Sequence, residues 1–564
     1  MDLQRLFLFL IFSFSVFMLW DGWERTQHPS AQIASTALTP VTNSSPVTST
    51  INQVNPVSNS SNALVTEQKT QAGQKITVKT DWLVAELNTV GGDLRHLKFL
   101  KQSDAKDRDK PFVLLQEQDG HTYIAQTGLF ESGQAGNSLP THNTIFTTQS
   151  NDYQLVEGQD TLEVRLQATD ITAAKVTKFY VFHRGSYLID VGYEIENTGV
   201  NPLSPSAYFQ LVRDKAPPDG TTKFVPTYTG PAVYTEEEKF HKIDFSDVEK
   251  GKAKYPQFAD NGWVGLLQHY FVAAWIPQDK VKREFYIKPH DNNLFSVGVI
   301  LPVTTILPGK SGKISVPLYA GPTESALDKV APGLGLTVDY GWLTIIAAPL
   351  FWLLTFLQGW VHNWGVAIIL LTVLIKLAFF PLSAASYRSM AKMKLVAPKL
   401  EKIKQQYGED KERLHKAMME LYKTEKINPV GGCLPMLIQI PVFISLYWAI
   451  LASVELRNAP FFGWITDLSQ PDVLFTIPQL GGQIGLLPLL MGASMIIQSK
   501  LNPAPPDPIQ AKVMQIMPIV FSIVFFWFPS GLVLYSIVNN VLSIAQQWFI
   551  TRRLNIEPKG AAKA

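Results

Sequence analysis

One cysteine, Cys433, stands in a chain of 564 residues. That excludes a disulfide framework and any cysteine-rich metal site. Charge is scarce as well. Asp, Glu, Lys and Arg make up 17% of the chain, and 49 basic residues against 47 acidic ones leave a net charge of +2. Such a balance gives no general case for nucleic-acid binding. The scarcity is also uneven. From Ala331 to Ser383 the formal charges are Asp339 and Lys376 alone, and from Ile427 to Ile550 they are Glu455, Arg457, Asp467, Asp472, Lys500, Asp507 and Lys512. Bilayer-length stretches so poor in charge exclude a wholly soluble protein. Walker loops, nucleophile elbows and His-Glu zinc motifs are missing, which argues against an ATPase or a protease.

What is present divides the chain. After Arg5 comes an apolar run, Leu6 to Trp20, with no small-x-small site directly behind it. It reads as a retained signal anchor over residues 1–25, with a cleaved signal peptide ending near Ala31 to Ala34 as the alternative. Residues 26–74 are dominated by Ser, Thr, Asn, Gln and Pro, and Thr26 to Thr66 carries no Asp, Glu, Lys or Arg. That segment has too little apolar surface to offset its ordering entropy and reads as a flexible polar linker.

Residues 75–325 show short alternating runs, such as Ile76 to Ala85, Thr161 to Leu166 and Lys178 to Phe182. Their spacing predicts a large antiparallel β-sandwich. Its histidines, His96, His121, His142, His183, His241, His269 and His290, show no metal-ligand spacing. No metal, cofactor or enzymatic site is expected there.

The remaining 240 or so residues are laid out by charge. Spans are expected at 360–382, 429–453, 483–501, 513–529 and 531–551. Residues 383–428 hold eleven Lys or Arg (Arg388, Lys392, Lys394, Lys399, Lys402, Lys404, Lys411, Arg413, Lys416, Lys423, Lys426) against six acids. The positive-inside rule makes that segment cytoplasmic. Counting 340–358 as a span as well would put it on the β-domain's side, so 340–358 is read as an interfacial helix, broken by Pro349. Met390, Met393, Ala397, Leu400 and Ile403, and then Leu414, Ala417, Met418, Leu421 and Tyr422, recur at helical spacing on either side of Tyr407 to Asp410. They predict a helical hairpin, either a solvated loop or a docking arm. A poorly basic external loop (454–482), a short cytoplasmic loop (502–512) and a basic cytoplasmic tail (552–564) complete the layout, with both termini inside. The fold class expected is thus a multi-domain membrane protein: an α-helical core of five spans, an N-terminal anchor helix and a periplasmic β-sandwich.

Lys376 is the one ionisable residue well inside an expected span. An intramembrane charge is by default a functional hypothesis. Against that, five residues before Pro381 is only about 7–8 Å of helix, so the side chain can snorkel to the interface. Polar residues recur through the spans, among them Thr372, Gln439, Ser445, Ser494, Gln498, Asn539 and Asn540. Single ones glue helices together. So many beside one cation suggest a shared hydrated interior, and no span offers an acidic partner for proton relay. A secondary transporter with a Pro-interrupted span and an envelope chaperone acting through the β-domain are the alternatives.

Four segments carry a family resemblance: Asn428 to Pro441 (NPVGGCLPMLIQIP), Tyr387 to Met393, Ser453 to Arg457, and Phe528 to Tyr535 (FPSGLVLY). They resemble the YidC membrane protein insertase family in its Gram-negative inner-membrane form, and the likeness covers the whole chain. The resemblance implies a periplasmic β-supersandwich of the sugar-mutarotase type. It implies insertion and folding of nascent membrane proteins, alone or beside the Sec translocon, without nucleotide or cofactor. It further implies a groove open to cytoplasm and lipid, with its cation at Lys376 and a threonine at Thr372; together with the polar residues of the spans, the groove positions expected are these two and Gln439, Ser445, Gln498, Tyr535 and Asn539. The hairpin and tail would meet the ribosome and targeting components, and the spans would meet membrane lipids. Two departures stand out. Many relatives carry arginine where this chain has Lys376, so the bidentate fork is lost. Ser536 stands where relatives often have an aromatic beside Tyr535.

Overall fold

The computed structural model describes residues 73–556, apart from 105–106, 119, 132–138, 170, 172–173, 219–226, 279, 408–409, 426–433, 478–481 and 503–507. The expected anchor, nearly all of the linker, Cys433, the first half of the Asn428 to Pro441 motif and most of the C-terminal tail lie outside the described residues. Two sheets form the first half, one of ten strands and one of nine among the described residues. Pro205–Asp214 lies between His121–Glu131 and Leu294–Pro302, with Phe209 opposite Thr127 and Val299. In the other sheet Leu188–Asn197 lies between Ala174–His183 and Ser311–Pro322. One face of each sheet is dry. Alternate residues of Leu83–Asn88 and of Thr161–Ala168 turn toward a shared core that includes Phe99, Phe209, Trp263 and Trp275. That alternation is what a half-buried strand requires.

The Ile76 to Ala85 run, which alternates as one strand would, folds as a hairpin. Lys75–Lys79 pairs with Leu83–Asn88, Val78 opposite Ala85. Thr80 Oγ1 accepts the amide of Leu83 at 3.0 Å, a side-chain bond that competes with a continuing ladder and turns the chain. Several histidines are spent on local bonds, His183 to Asp190 at 2.8 Å and His121 to Asp214 at 2.7 Å. The core also holds an ion pair that no sequence period announces. Lys178 Nζ lies 3.4 Å from Asp93 and donates to Gly91 O at 2.8 Å, both side chains fully buried.

Eight helices make up the second half among the described residues: α1 (Thr344–Val361), α2 (Trp364–Ala378), α3 (Phe380–Tyr407), α4 (Lys411–Thr424), α5 (Leu434–Ala452), α6 (Leu486–Leu501), α7 (Pro508–Val524) and α8 (Ser530–Ile556). Pro349 does not break α1, contrary to the expectation from sequence. It sits in the second turn, where a missing N–H removes one hydrogen bond and the helix continues on the rest. Ala347, Phe351 and Leu354 face the helical core, while Ile345, Trp352, Phe356 and Trp360 face out. Among the described residues α1 alone is long and apolar enough to cross a membrane by itself. The α2 helix and the start of α3 reach that length only together, bent by 68°. Phe379 leaves the helical ladder and Pro381 falls in the first turn of α3, the position proline tolerates. The α7 helix begins at Pro508, inside the stretch read from sequence as a loop.

Helix α8 is the hub, packing against α2, α3, α5 and α6. Its first turns lie in the core with Ile368, Leu371 and Leu446, and its last turns meet Ala384 and Tyr387 of α3. The hairpin α3–α4 closes on Val396 and Tyr422, flanked by Met393, Leu400, Met418 and Leu421. Asp410 caps α4, its Oδ1 accepting from Glu412 N and Arg413 N, as an N-terminal aspartate does.

Candidate functional site

Lys376 lies in the last turn of α2, on the side that meets α8. Its stem is half-buried, and its ammonium donates to Ser543 Oγ at 2.8 Å. Ser543 in turn donates to Asn539 O at 2.7 Å, which orients the lone pair that the lysine uses. From α5, Gln439 donates its amide to the phenol of Tyr535. Tyr535, Asn539 and Ser543 follow at four-residue spacing along α8, so one face of that helix is a polar ladder. In front of it lies a cleft of about 360 Å³, counted with its open mouth, lined by Ile375, Lys376, Phe379, Leu382, Ser383, Ile438, Gln439 and Val442. Among the described residues no carboxylate pairs with Lys376.

The residues singled out from sequence therefore separate. Lys376 and Gln439 share the cleft, whereas Tyr535 and Asn539 do not line it and reach it only through Gln439 and Ser543, to which they are bonded. Thr372 does not reach it: its side chain is buried, and its hydroxyl donates to Ile368 O at 2.7 Å within its own helix. Ser445 is fully buried, its hydroxyl without a partner among the described residues. Gln498, half-buried on α6, does not line the cleft. The polar traffic between α6 and α8 runs instead from Asn540 to Ser494, at 3.0 Å, and from Gln547 to Leu501 O, at 3.2 Å. Ser543 and Ser383 were missed. The signal for Ser543 was there, one helical turn beyond Asn539 and two beyond Tyr535.

Chemically the cleft offers an ammonium, hydroxyls and an amide, with no nucleophile beside a general base. It suits reversible binding of polar or anionic peptide, strengthened by the low dielectric around it.

Comparison with known proteins bears on this arrangement. Residues 75–353 match the family described as the YidC periplasmic domain, and residues 356–557 match the 60Kd inner membrane protein family. The chain is 53% identical to the membrane protein insertase YidC of Nitrosospira multiformis, over 98% of each chain. It is 52% identical to that of Methylobacillus flagellatus over the full length of both. Against the protein of Nitrosomonas europaea it is 51% identical, over 99% of this chain and 92% of the relative. The chain belongs to the YidC membrane protein insertase family. The two-sheet half is the family's periplasmic domain, and the helical half is its inner-membrane part.

Proposed function

We propose that this chain inserts newly made proteins into the bacterial inner membrane through the cleft between α2, the start of α3 and α5, beside α8. The observation that carries the reading is Lys376, an ammonium held by a serine hydroxyl rather than a carboxylate, and so left with net charge to attract a client. Insertion requires a polar peptide segment to cross a layer that penalises every exposed backbone group. A hydrated cleft entered from the cytoplasm shortens that path. Two helices of the bundle are short, α2 at about 22 Å and α6 at about 24 Å, against a hydrocarbon core of about 30 Å, which favours local thinning. Release is driven by burying a client's apolar span in lipid, so no nucleotide is consumed.

The topology we infer has six spans, with α1 lying in the outer interface although it is long enough to cross. Were α1 a span, the eleven basic residues of 383–428 would fall on the periplasmic side, against the charge rule. Both termini are then cytoplasmic. The α3–α4 hairpin and the basic tail receive clients from the ribosome and targeting components, lipid surrounds the apolar helix faces, and the chain works alone or beside the Sec translocon.

The test uses purified protein in liposomes and paired single-span clients differing only in tail charge. At an effective dielectric near 20, the Lys376 attraction reaches about 4 kcal/mol at contact. Lys376→Arg keeps the charge and should retain insertion. Lys376→Leu should lower the protease-protected fraction of acidic-tailed clients by about tenfold or more, the equivalent of about 1.4 kcal/mol, and affect neutral-tailed clients less. Equal insertion of both clients by the leucine variant and the parent rejects the electrostatic role.

A further inference from the structure

The first part of the segment joining α5 to α6, residues 453–475, has its polarity inverted. A loop in water exposes charge and covers its apolar groups. Here the formal charges are Glu455, Arg457, Asp467 and Asp472, and all turn inward. Asp467 is buried and accepts both the amide and the hydroxyl of Ser469 at 2.8 Å. Asp472, also buried, accepts the Trp464 indole N–H at 2.9 Å and caps α6 by accepting Leu487 N at 2.7 Å. The Arg457 guanidinium packs among Phe112, Tyr270 and Phe271, 5.3 to 5.8 Å from their ring centres. Glu455 Oε2 is enclosed as well.

The large side chains that face outward are apolar, Phe462, Trp464, Val473, Leu474 and Phe475, with Phe462 62% and Phe475 65% exposed, while Thr466 and Gln470 are the exposed polar residues between them. The two stretches that supply them, 462–464 and 473–475, are tied together by the Trp464–Asp472 bond, so they form one patch. Beneath it the loop is seated on the N-terminal ends of α2 and α8. Phe461 lies so close to Gly365 that a Cβ there would come within 2.0 Å of its ring. Ser530 Oγ donates to Asp467 O at 2.7 Å. Those helix ends are the ones remote from Lys376.

We propose that residues 453–475 form a membrane-embedded cap, with the edge made by Phe462, Trp464, Leu474 and Phe475 lying in the outer-leaflet lipid. Lipid is the occupant because the patch is continuous with a lipid-facing surface: the loop starts at the end of α5 and ends at the start of α6, whose Leu489 and Leu490 are likewise exposed. Aromatic side chains at that level are favoured by the bilayer interface. The cap also meets a need of the short helices. Helix α6 falls about 6 Å short of the hydrocarbon core, and the apolar edge of the cap extends the hydrophobic height of the protein by covering that band. The proposal rests on the membrane reading given above.

The test places single spin labels on the full chain in a Cys433→Ser background, reconstituted in phosphatidylethanolamine–phosphatidylglycerol vesicles. Phe462→Cys and Phe475→Cys report the cap, Ile519→Cys reports the exposed apolar face of α7, and Gly120→Cys reports a turn of the β-domain in water. Collision with oxygen, which dissolves in lipid, is compared with collision with a water-soluble nickel chelate. The cap labels should match Ile519, with oxygen favoured several-fold over nickel, and should stay so as the protein is diluted in lipid. Cap labels that match Gly120 while Ile519 reads as lipid overturn the proposal and leave the membrane reading standing. Protection from nickel that vanishes on dilution makes a second copy the occupant and overturns it too. An Ile519 label that itself reads as water removes the membrane reading and the proposal together.

Discussion

Lys376 and Ser543 are 167 positions apart in sequence, and among the described residues their contact at 2.8 Å is the polar bond that holds the cleft's charge in place. A hydrogen bond to a charged group contributes about 1.5–3 kcal/mol. Ser543→Ala should therefore let the ammonium swing to the interface and lower insertion of acidic-tailed clients several-fold, while Ser543→Thr should keep it. The readout is the protease-protected fraction, and equal values for the alanine variant and the parent would show that the serine does not position the lysine. The Asp93–Lys178 pair behaves differently, because it is fully buried. Burial outweighs the pairing on both sides, pushing the Asp93 carboxyl up from 3.8 to about 6 and the Lys178 ammonium down from 10.5 to about 8. The folded state thus binds an extra proton between about pH 4 and 6 and lacks one between about 8 and 10.5. By linkage, the pair's contribution to stability falls as pH rises through the first window and recovers through the second. Asp93→Ala, which leaves a buried ammonium unpaired, should lose about 3–5 kcal/mol. The double replacement Asp93→Asn with Lys178→Met should lose less and flatten both windows in thermal unfolding followed by circular dichroism. A single variant as stable as the parent would remove the pair from the core's energetics.

At the scale of elements, helix pairs decide what each segment does. The α3–α4 hairpin has a small apolar seam, Val396 against Tyr422, and an exposed ion pair from Lys399 to Glu425 at 2.6 Å. Pairs of that kind are worth little by themselves, so the hairpin is a separable arm rather than part of the core. Deleting Lys399 to Lys416 should leave the protein stably in the membrane yet impair client insertion severalfold in the vesicle assay. Unchanged insertion would return the hairpin to a solvated loop. Periodicity located this arm because its seam repeats every three or four residues. It could not show that α1 runs through Pro349, since the loss of one hydrogen bond is offset by the packing of Ala347, Phe351 and Leu354 against the helical core.

For the whole molecule, the two halves meet through specific contacts among the described residues, Arg457 among Phe112, Tyr270 and Phe271 being one. His269 Nε2 bonds to Leu451 O at 2.9 Å at the end of α5, and Arg108 donates to Thr466 Oγ1 at 2.6 Å. None of these groups lines the cleft. Excising most of Lys75 to Pro322 should therefore leave insertion largely intact, and its abolition would make the β-domain part of the mechanism. Orientation is tested by labelling with a membrane-impermeant maleimide. A cysteine at Gly120, a glycine at φ +83° with open space around it, should label from the periplasm. One at Gly408, outside the described residues, should label from the cytoplasm alone. Labelling of both from one side would overturn the six-span topology.

By itself the sequence determined where the chain is oily, where it is alternating and where it is basic. These are local properties, and lipid, water and the membrane potential act on them segment by segment. That sufficed for a β-rich domain beside a helical membrane half, and for Lys376 as the residue to explain. Which polar residues meet could not be read that way. Thr372 and Lys376 are one turn apart, yet one hydroxyl is spent inside its own helix and the other group faces a cleft. Ser543, Asp93 with Lys178, and Arg457 among three rings acquire their partners only when distant elements pack. The side of a helix or strand that faces a neighbour is set by the packing of the whole, and a period fixes the stripe without naming what lies across from it.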